Sequence, residues 1–396
     1  MEALLTKLEQ LFPEMVKLRR YFHQYPELSF HEVHTPEKIA EYLTSLDIEV
    51  KTQVGGRGVV GYIHGGKPGK TVALRADFDA LPIQDEKDVP YKSTVSGVMH
   101  ACGHDAHTTI LLHVANVLSQ IKNELHGTVV LIHQFAEEIT PGGAKPMIED
   151  GCLDGVDAIF GTHVWSTIPV GQIGYRSGPI MAAADRFELD IIGQGGHGAA
   201  PHETIDPIAI GTSIVQQLQQ IVSRRIDPVK PAVVTVSSFN AGDAFNVIPT
   251  TAKITGTVRT FDSSVQDAIM SHMERIIASC CENAGATYSF QYSKGYPAVV
   301  NSTNETDLLV KSAGKIVGEE NTIQLSPQMT GEDFAYYLQK VPGTFFFTGA
   351  GNKAAGITYP HHHAKFDIDE ESMLIAAKVL LSVTLDYLNE QVPLNF

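Results

Sequence analysis

Cysteine is scarce, with four in 396 residues at positions 102, 152, 280 and 281. That is too few for a disulfide framework in a chain of this size, and the reducing cytosol is the compartment it fits. Positive charge is also short. Against 45 acidic side chains stand 29 basic ones, a formal charge of −16. A nucleic-acid backbone or an anionic membrane would be repelled, so a small-molecule partner is expected. No apolar run reaches membrane-spanning length. The opening Met1-Glu-Ala-Leu-Leu-Thr-Lys-Leu-Glu9 carries acids, and it lacks both the basic end and the apolar block of a secretory leader. No repeat, low-complexity tract or long linker interrupts the chain. What remains, 43% apolar and 19% charged residues, is the balance of a globular enzyme, and the length calls for two domains rather than one.

Leu4, Leu5, Leu8, Leu11, Phe12 and Met15 recur at helical spacing across Pro13, which predicts a pair of helices up to about His23. Thr35 and Pro36 supply an N-cap and a proline at N1 for the next helix, and a strand follows from Asp47 to Thr52. Val59 to His64 and Thr71 to Ala76, separated by Gly65-Gly66-Lys67-Pro68-Gly69, read as a β-hairpin. Beyond a helix beginning near Asp105 or Thr108, a strand at 128–135, a helix at 143–150 and a strand at 158–163 alternate in βαβ fashion. An α/β fold with a mixed, largely parallel sheet sandwiched by helices is expected. The rhythm changes near Gly178. From 185 to 292 the order is β-α-β-β-α-β, the ferredoxin-like pattern, after which two helices and a strand return to the first domain. The predicted division is a larger domain split between 1–182 and 295–396, with a ferredoxin-like α+β domain inserted at 183–294.

The stretch His100-Ala-Cys102-Gly-His104-Asp-Ala-His107 packs four metal-competent side chains into a glycine-containing turn ahead of a helix. Cys102 and His104 fall in the loop before it. Thiolate with imidazole suits zinc, and manganese, cobalt or nickel can occupy such a site when carboxylates complete it. Singly, Cys102 reads equally well as a small buried hydrophobe and His104 as a core histidine. Other candidates share a position where a predicted strand passes into a loop, which is where open α/β sheets bind ligands. Asp77 and Asp79 follow one strand, Glu137 and Glu138 a second, and His163 ends a third; His361, His362 and His363 precede Phe366 in the returning segment. Taken alone, an adjacent Glu pair is a solvated loop. Taken together, these residues are what a two-metal hydrolytic centre requires: ligands for the ions and an unliganded carboxylate to take a proton from water.

The segments Leu74-Arg-Ala-Asp-Phe-Asp-Ala-Leu-Pro82, Met99-His-Ala-Cys-Gly-His-Asp-Ala-His107, Glu137-Glu138, Gly161-Thr-His163, Gly196-His-Gly-Ala-Ala-Pro201, Asn246-Val-Ile-Pro249 and His362-His-Ala-Lys-Phe366 resemble the M20 family of metallopeptidases. The likeness is closer to its amidohydrolase branch of N-acyl-amino-acid amidohydrolases, hippurate hydrolases and auxin-conjugate hydrolases. The resemblance implies a catalytic α/β domain with two divalent ions per subunit, manganese or zinc first, cobalt or nickel as alternatives. It implies a smaller lid domain that also makes a homodimer, with further pairing to a tetramer left open. Cys102 would bridge the ions, with His104 and His163 on one and Glu138 and His362 on the other, and Glu137 would be the general base. The choice of His362 rests on register, and because Ala364 stands where the branch has proline, His361 and His363 remain open. The family's usual His-x-Asp reads Asp77-x-Asp79 here, an exchange the amidohydrolase branch shows, so these two are expected to orient ligands. His100 and His107 are expected to be structural. In the lid, the resemblance gives His197 the oxyanion of a neighbouring subunit's site, and gives Asn246 and Arg259 the substrate carboxylate. The expected activity is hydrolysis of the amide of an N-acyl amino acid or small peptide-like compound by a cytoplasmic enzyme. A dipeptidase or aminopeptidase of the same fold is one rival. A metal-binding relative without catalysis is another, against which the intact Glu137-Glu138 pair speaks.

Overall fold

The protein is described by a computed structural model, covering residues 1–389. From the N-terminus run α1 (Glu2–Gln24), α2 (His34–Ser45), β1 (Glu49–Val54), β2 (Gly58–His64), β3 (Lys67–Asp77), α3 (His104–Gln120), β4 (His126–Gln134), α4 (Ala144–Glu149), β5 (Ala158–Pro169) and β6 (Ile173–Tyr175). Then come β7 (Ala183–Ile192), α5 (Pro207–Arg225), β8 (Ala232–Asn240), β9 (Thr251–Thr260), α6 (Ser263–Ala284) and β10 (Thr287–Tyr296). Last are α7 (Thr303–Val317), β11 (Thr322–Gln324), β12 (Gly343–Gly351) and α8 (Glu371–Asn389). The chain forms two compact units: one of Met1–Ile180 with Val300–Ser326 and the segment from Asp333 onward, the other of Met181–Val299 with Pro327–Glu332.

The larger unit is built on an eight-stranded sheet in the order β1-β2-β4-β3-β5-β12-β6-β11. Its pairs β4-β3, β3-β5, β5-β12 and β6-β11 are parallel and the others antiparallel. This is the mixed, largely parallel α/β arrangement the sequence predicts. β12 is buried along its whole length and β4 from Val129 on, the near-continuous burial of strands covered on both faces.

Two local expectations are corrected. The first helix is one element and not two, although Pro13 sits inside it. A proline in a helix interior removes a hydrogen bond and costs about 3 kcal/mol. Leu8, Met15, Arg19, Phe22 and His23 form a continuous buried stripe, and α1 packs along α3 and α8, which offsets that cost. The predicted hairpin is not formed, because β4 lies between β2 and β3. The glycine-rich connection crosses the start of β4 instead: Gly65 N–H donates to Gly127 O at 2.8 Å and Gly66 N–H to Lys122 O at 2.9 Å. A Cβ on Gly65 would fall 2.4 Å from the Gly127 carbonyl oxygen, so the crossing demands glycine. The start of α2 also differs in detail. Its exposed N–H groups are held by the Glu27 carboxylate, which accepts from Val33, His34 and Thr35 at 2.8–3.0 Å, and Thr35 lies within the helix.

The second unit has a four-stranded antiparallel sheet in the order β8-β9-β7-β10, with α5 and α6 packed on it. That is the ferredoxin-like order. Leu189, Ile191, Ile214, Leu218, Ile254, Ile269, Met273 and Ile277 fill its core. α5 starts sharply because Asp206 accepts from the N–H groups of Ile208 and Ala209, with Pro207 at the first helical position.

Candidate metal centre

The centre grows from a turn. Gly103 has φ +95°, and a Cβ there would lie 2.4 Å from Val164 Cγ2, so only glycine allows the chain to pass from Cys102 into α3. His104 is thereby the first residue of α3, where the sequence placed it in a loop. Cys102 Sγ lies 3.4 Å from His163 Nε2. His163 sits within β5, which runs on to Pro169 and does not end there. The parallel pairing of Arg75 with Gly161 sets it level with Asp77 at the end of β3. Its Nδ1–H donates to Val164 O at 2.7 Å, which leaves Nε2 facing the sulfur.

After β4 the chain turns at Ala136, a non-glycine residue at φ +50°, held by its N–H donating to Glu32 Oε1 at 2.9 Å. Glu137 and Glu138 follow. Asp79 fixes two neighbours at once: Oδ1 lies 3.1 Å from His104 Nδ1, and Oδ2 accepts the N–H of Glu138 at 3.0 Å and the Ser29 hydroxyl at 2.7 Å. With Nδ1 so engaged, His104 presents Nε2, 3.8 Å from Glu138 Oε1. Asp77 receives Arg75 Nη1 at 2.7 Å and His107 Nδ1 at 2.6 Å. His107 Nε2 in turn accepts the Val164 N–H at 2.9 Å, so both its nitrogens are spent inside the protein. Among the described residues His100 is buried with neither ring nitrogen hydrogen-bonded, and burial lowers its pKa to about 4, which keeps it neutral.

Of the three consecutive histidines, His362 has Nε2 3.4 Å from Glu138 Oε2. It too has positive φ, +63°, with its N–H donating to Ala101 O at 2.8 Å. His361 Nε2 is 2.9 Å from Val164 O, and His363 is exposed and stacked on Tyr359.

Among the described residues, two of the groups of donor atoms lying within 4.8 Å of one another contain Cys102: Cys102 with His104 and His163, and Cys102 with Glu138 and His362. Cys102 is common to both. His104 also belongs to groups with Asp77 and His107 and with Glu137 and Glu138, and Glu137 is only 6% exposed. Among the described residues, His104 Nε2 and Glu138 Oε1 are buried without a hydrogen-bond partner, a costly arrangement unless something satisfies them. A divalent cation fits, since it would satisfy both from a sulfur, imidazole and carboxylate donor set. The electrostatics agree. Burial alone would lower His104, but the carboxylates of Asp77, Asp79 and Glu138 raise its pKa to about 10, and a cation at Nε2 would take the place of that proton. Burial, with Glu138, Glu137 and Asp77 nearby, pushes the Cys102 thiol well above its usual value; bound positive charge would reverse this. His163 is held neutral, well below its usual pKa, by burial and then by the His107 and His361 rings.

Sequence reasoning missed a buried ionic network beside this centre. Arg19 is fully buried, its Nε 2.9 Å from Asp105 Oδ2 and its Nη2 3.1 Å from Asp367 Oδ1. His23 Nδ1 lies 2.7 Å from the same Asp105 oxygen, and Lys87 Nζ is 2.9 Å from His23 Nε2. The signal was present, because Arg19 and His23 continue the stripe of Leu8, Met15 and Phe22 on the buried face of α1.

In the second unit, His197 and Asn246 are neighbours. His197 pairs with Val247 in a short ladder, and Gly198 N–H donates to Asn246 O at 2.9 Å. Both are exposed. Arg259 lies on β9, half-buried, with Nε donating to Met329 O at 3.2 Å and Nη1 to Val258 O at 3.1 Å and to the Thr257 hydroxyl.

Comparison with known proteins gives the family. Residues 73–386 match peptidase family M20/M25/M40. The Bacillus subtilis (strain 168) protein YhaA, named provisionally as an amidohydrolase, is 56% identical over 96% of this chain and 96% of its own. N-acyl-L-amino acid amidohydrolase of Geobacillus stearothermophilus is 45% identical over 76% of this chain and 81% of its own. The crystal structure of Bacillus subtilis YXEP, described as a dinuclear metal binding peptidase from the M20 family, superposes with a TM-score of 0.85 at 37% identity, covering 97% of this chain and 99% of that one. The chain belongs to peptidase family M20/M25/M40 and to its amidohydrolase branch. It is a metal-dependent hydrolase acting on C–N bonds.

Proposed function

We infer that this chain hydrolyses the amide bond of N-acyl amino acids or small peptide-like compounds, as a cytoplasmic homodimer holding two divalent ions per subunit. The observation that carries the reading is that Cys102 belongs to two donor groups at once, alongside the unpartnered His104 Nε2 and Glu138 Oε1. His104 and His163 would hold one ion and Glu138 and His362 the other, manganese or zinc by the chemistry of these donors, with the Cys102 sulfur between them. Bound there, the ions supply Lewis-acid polarisation of the amide carbonyl and lower the pKa of water toward neutrality. Glu137 takes the proton from the attacking water and returns it to the leaving nitrogen. Its seclusion from solvent suits a base that must keep that proton until the C–N bond breaks. Asp79 holds both His104 and the Glu138 backbone, so the donors do not reorient between turnovers. His197 steadies the oxyanion across a subunit interface, and Asn246 and Arg259 hold the substrate carboxylate.

The test is a substrate panel. Protein stripped with a chelator should be inactive, and reloading with manganese, zinc, cobalt or nickel should restore hydrolysis of N-acetyl, N-benzoyl or indole-acetyl amino acids. Full activity in verifiably metal-free protein would overturn the metal reading. Faster cleavage of free-amine dipeptides than of every N-acyl compound would make it a peptidase instead.

A further inference from the structure

Four of the five candidate ligands are held by structure close to them. Cys102 and His104 sit at the head of α3, His163 lies within a strand, and Glu138 has its N–H on Asp79. His362 is different. Its side chain is 54% exposed and its backbone is in the left-handed region. Its N–H is fixed on Ala101 O at 2.8 Å, and beyond that single anchor the direction of its ring depends on how the chain from 362 to 367 is held. That segment is fastened by residues 85–91. Glu86 N–H donates to Ala364 O at 2.9 Å, Lys87 Nζ to Phe366 O at 2.9 Å, and Tyr91 hydroxyl to Asp367 Oδ2 at 2.8 Å. Lys87 is the hub, only 7% exposed, with Nζ also reaching His23 Nε2 at 2.9 Å and lying 3.7 Å from Asp367 Oδ2. His23 in turn touches Asp105, the residue after His104. One ammonium thus ties the His362 loop to the helix that begins at His104.

We propose that Lys87 is a positioning residue for the second metal position, locking the His362 loop against the Cys102–His104 turn so that this position, and not its neighbour, depends on it. The inference rests on the two-ion reading above. A buried lysine donating to a main-chain carbonyl fixes the backbone itself, and here it adds a second anchor at Phe366 O to the one His362 N–H makes with Ala101 O. Partners bonded directly to a ligand change metal affinity by about 10- to 100-fold when lost, and that range sets the scale for Lys87, which acts on His362 through the backbone.

The experiment titrates manganese or zinc into metal-free protein and reads stoichiometry and affinity by calorimetry, with thermal unfolding of the metal-free forms recorded alongside. Wild type should take up two ions. Lys87→Met, similar in length but without charge or donor, should bind one ion as wild type does and the other about 10- to 100-fold more weakly, and Lys87→Arg should recover part of the loss. Wild-type affinity for both ions in Lys87→Met overturns the proposal, as does equal weakening of both in step with a lower unfolding temperature. If Lys87→Met does not fold, Tyr91→Phe, which removes only the hydroxyl bond to Asp367, should show a smaller loss confined to one ion, and unchanged binding of both overturns it. Wild type that takes up fewer than two ions refutes the two-ion reading itself, and the role of Lys87 falls with it.

Discussion

Exchanging Glu137 for Gln separates two adjacent glutamates that chemistry alone cannot tell apart. Glu137 shares a donor group with His104 and Glu138, while Glu138 alone also belongs to the group with Cys102 and His362. Gln keeps the size of Glu137 and its ability to accept hydrogen bonds but cannot hold a proton. A general base contributes about 10²- to 10⁴-fold, or roughly 2.7 to 5.4 kcal/mol of barrier at 1.36 kcal/mol per decade. The upper end is expected here, because in the proposed reaction the same carboxylate would serve in both proton acceptance and proton return, and its burial leaves no bulk water to substitute. Turnover should be measured as release of free amino acid from an N-acyl amino acid, and metal content by elemental analysis on the same samples. Glu137→Gln should lose about 10⁴ in kcat with ions retained. Glu138→Ala should lose ions, because its oxygens lie 3.8 Å from His104 Nε2 and 3.4 Å from His362 Nε2. Should the metal-depleted protein prove to be Glu137→Gln, and the loaded but inactive one Glu138→Ala, the assignment of base and ligand is refuted.

Glu32 is raised to about 8 by burial and by the nearby Asp79 charge, against about 4.3 for a free glutamate. As pH rises from 4.3 the unfolded chain gives up its proton while the folded one keeps it. Wild type therefore loses roughly 1.4 kcal/mol per pH unit until about pH 8, where the folded group also ionises. Glu32→Gln, which can still accept the Ala136 N–H, should be similar in stability near pH 5 and the more stable of the two at pH 9 in metal-free denaturation; a pH-independent difference would contradict this. Asp105→Asn should cost about 3 kcal/mol near neutrality, the low end for breaking a buried ion pair, since Arg19 keeps Asp367 and Glu370. Burial opposes ionisation of Asp105, but Arg19 and His23 hold its carboxyl well below the usual range, so its contribution is present above about pH 4 and lost as pH falls toward the folded value. Urea midpoints of the two proteins should accordingly converge in acid, and parallel curves would exclude the linkage. Arg259→Lys should raise KM for N-acyl amino acids about tenfold and leave their amidated counterparts little changed; equal effects on both would remove Arg259 from carboxylate recognition.

Much of this was legible in the chain, for reasons that differ by residue. The β-α-β-β-α-β order of the second unit was readable because its signals are local, and in α5 the apolar stripe of Ile210, Ile214, Leu218 and Ile221 shows why. The cluster around Cys102 was readable because cysteine, histidine and glycine in one short turn carry chemistry that ordinary loops do not. What was hidden was non-local. Gly65 to Gly69 looks like a hairpin from within, and only β4, more than fifty residues further on, takes the place that β3 would have had beside β2. Pro13 looks like a break unless the packing behind α1 is known. Positive φ at Ala136 and His362 is unusual for residues with a side chain and had no sequence signal at all, yet it directs Glu137, Glu138 and the His362 ring.

The strand order has a consequence for how the protein is made. As the chain leaves the ribosome, β2 and β3 must leave room for a strand not yet translated, and β5 and β6 must do so again for β12, which arrives only after the whole second unit has been synthesised. His362 comes later still. Cys102, His104, Glu138 and His163 emerge first and wait without it. If the proposed ligand set holds, a nascent chain would meet an ion long before it could hold one in a finished site, and faithful loading would belong to the last moments of synthesis or after them.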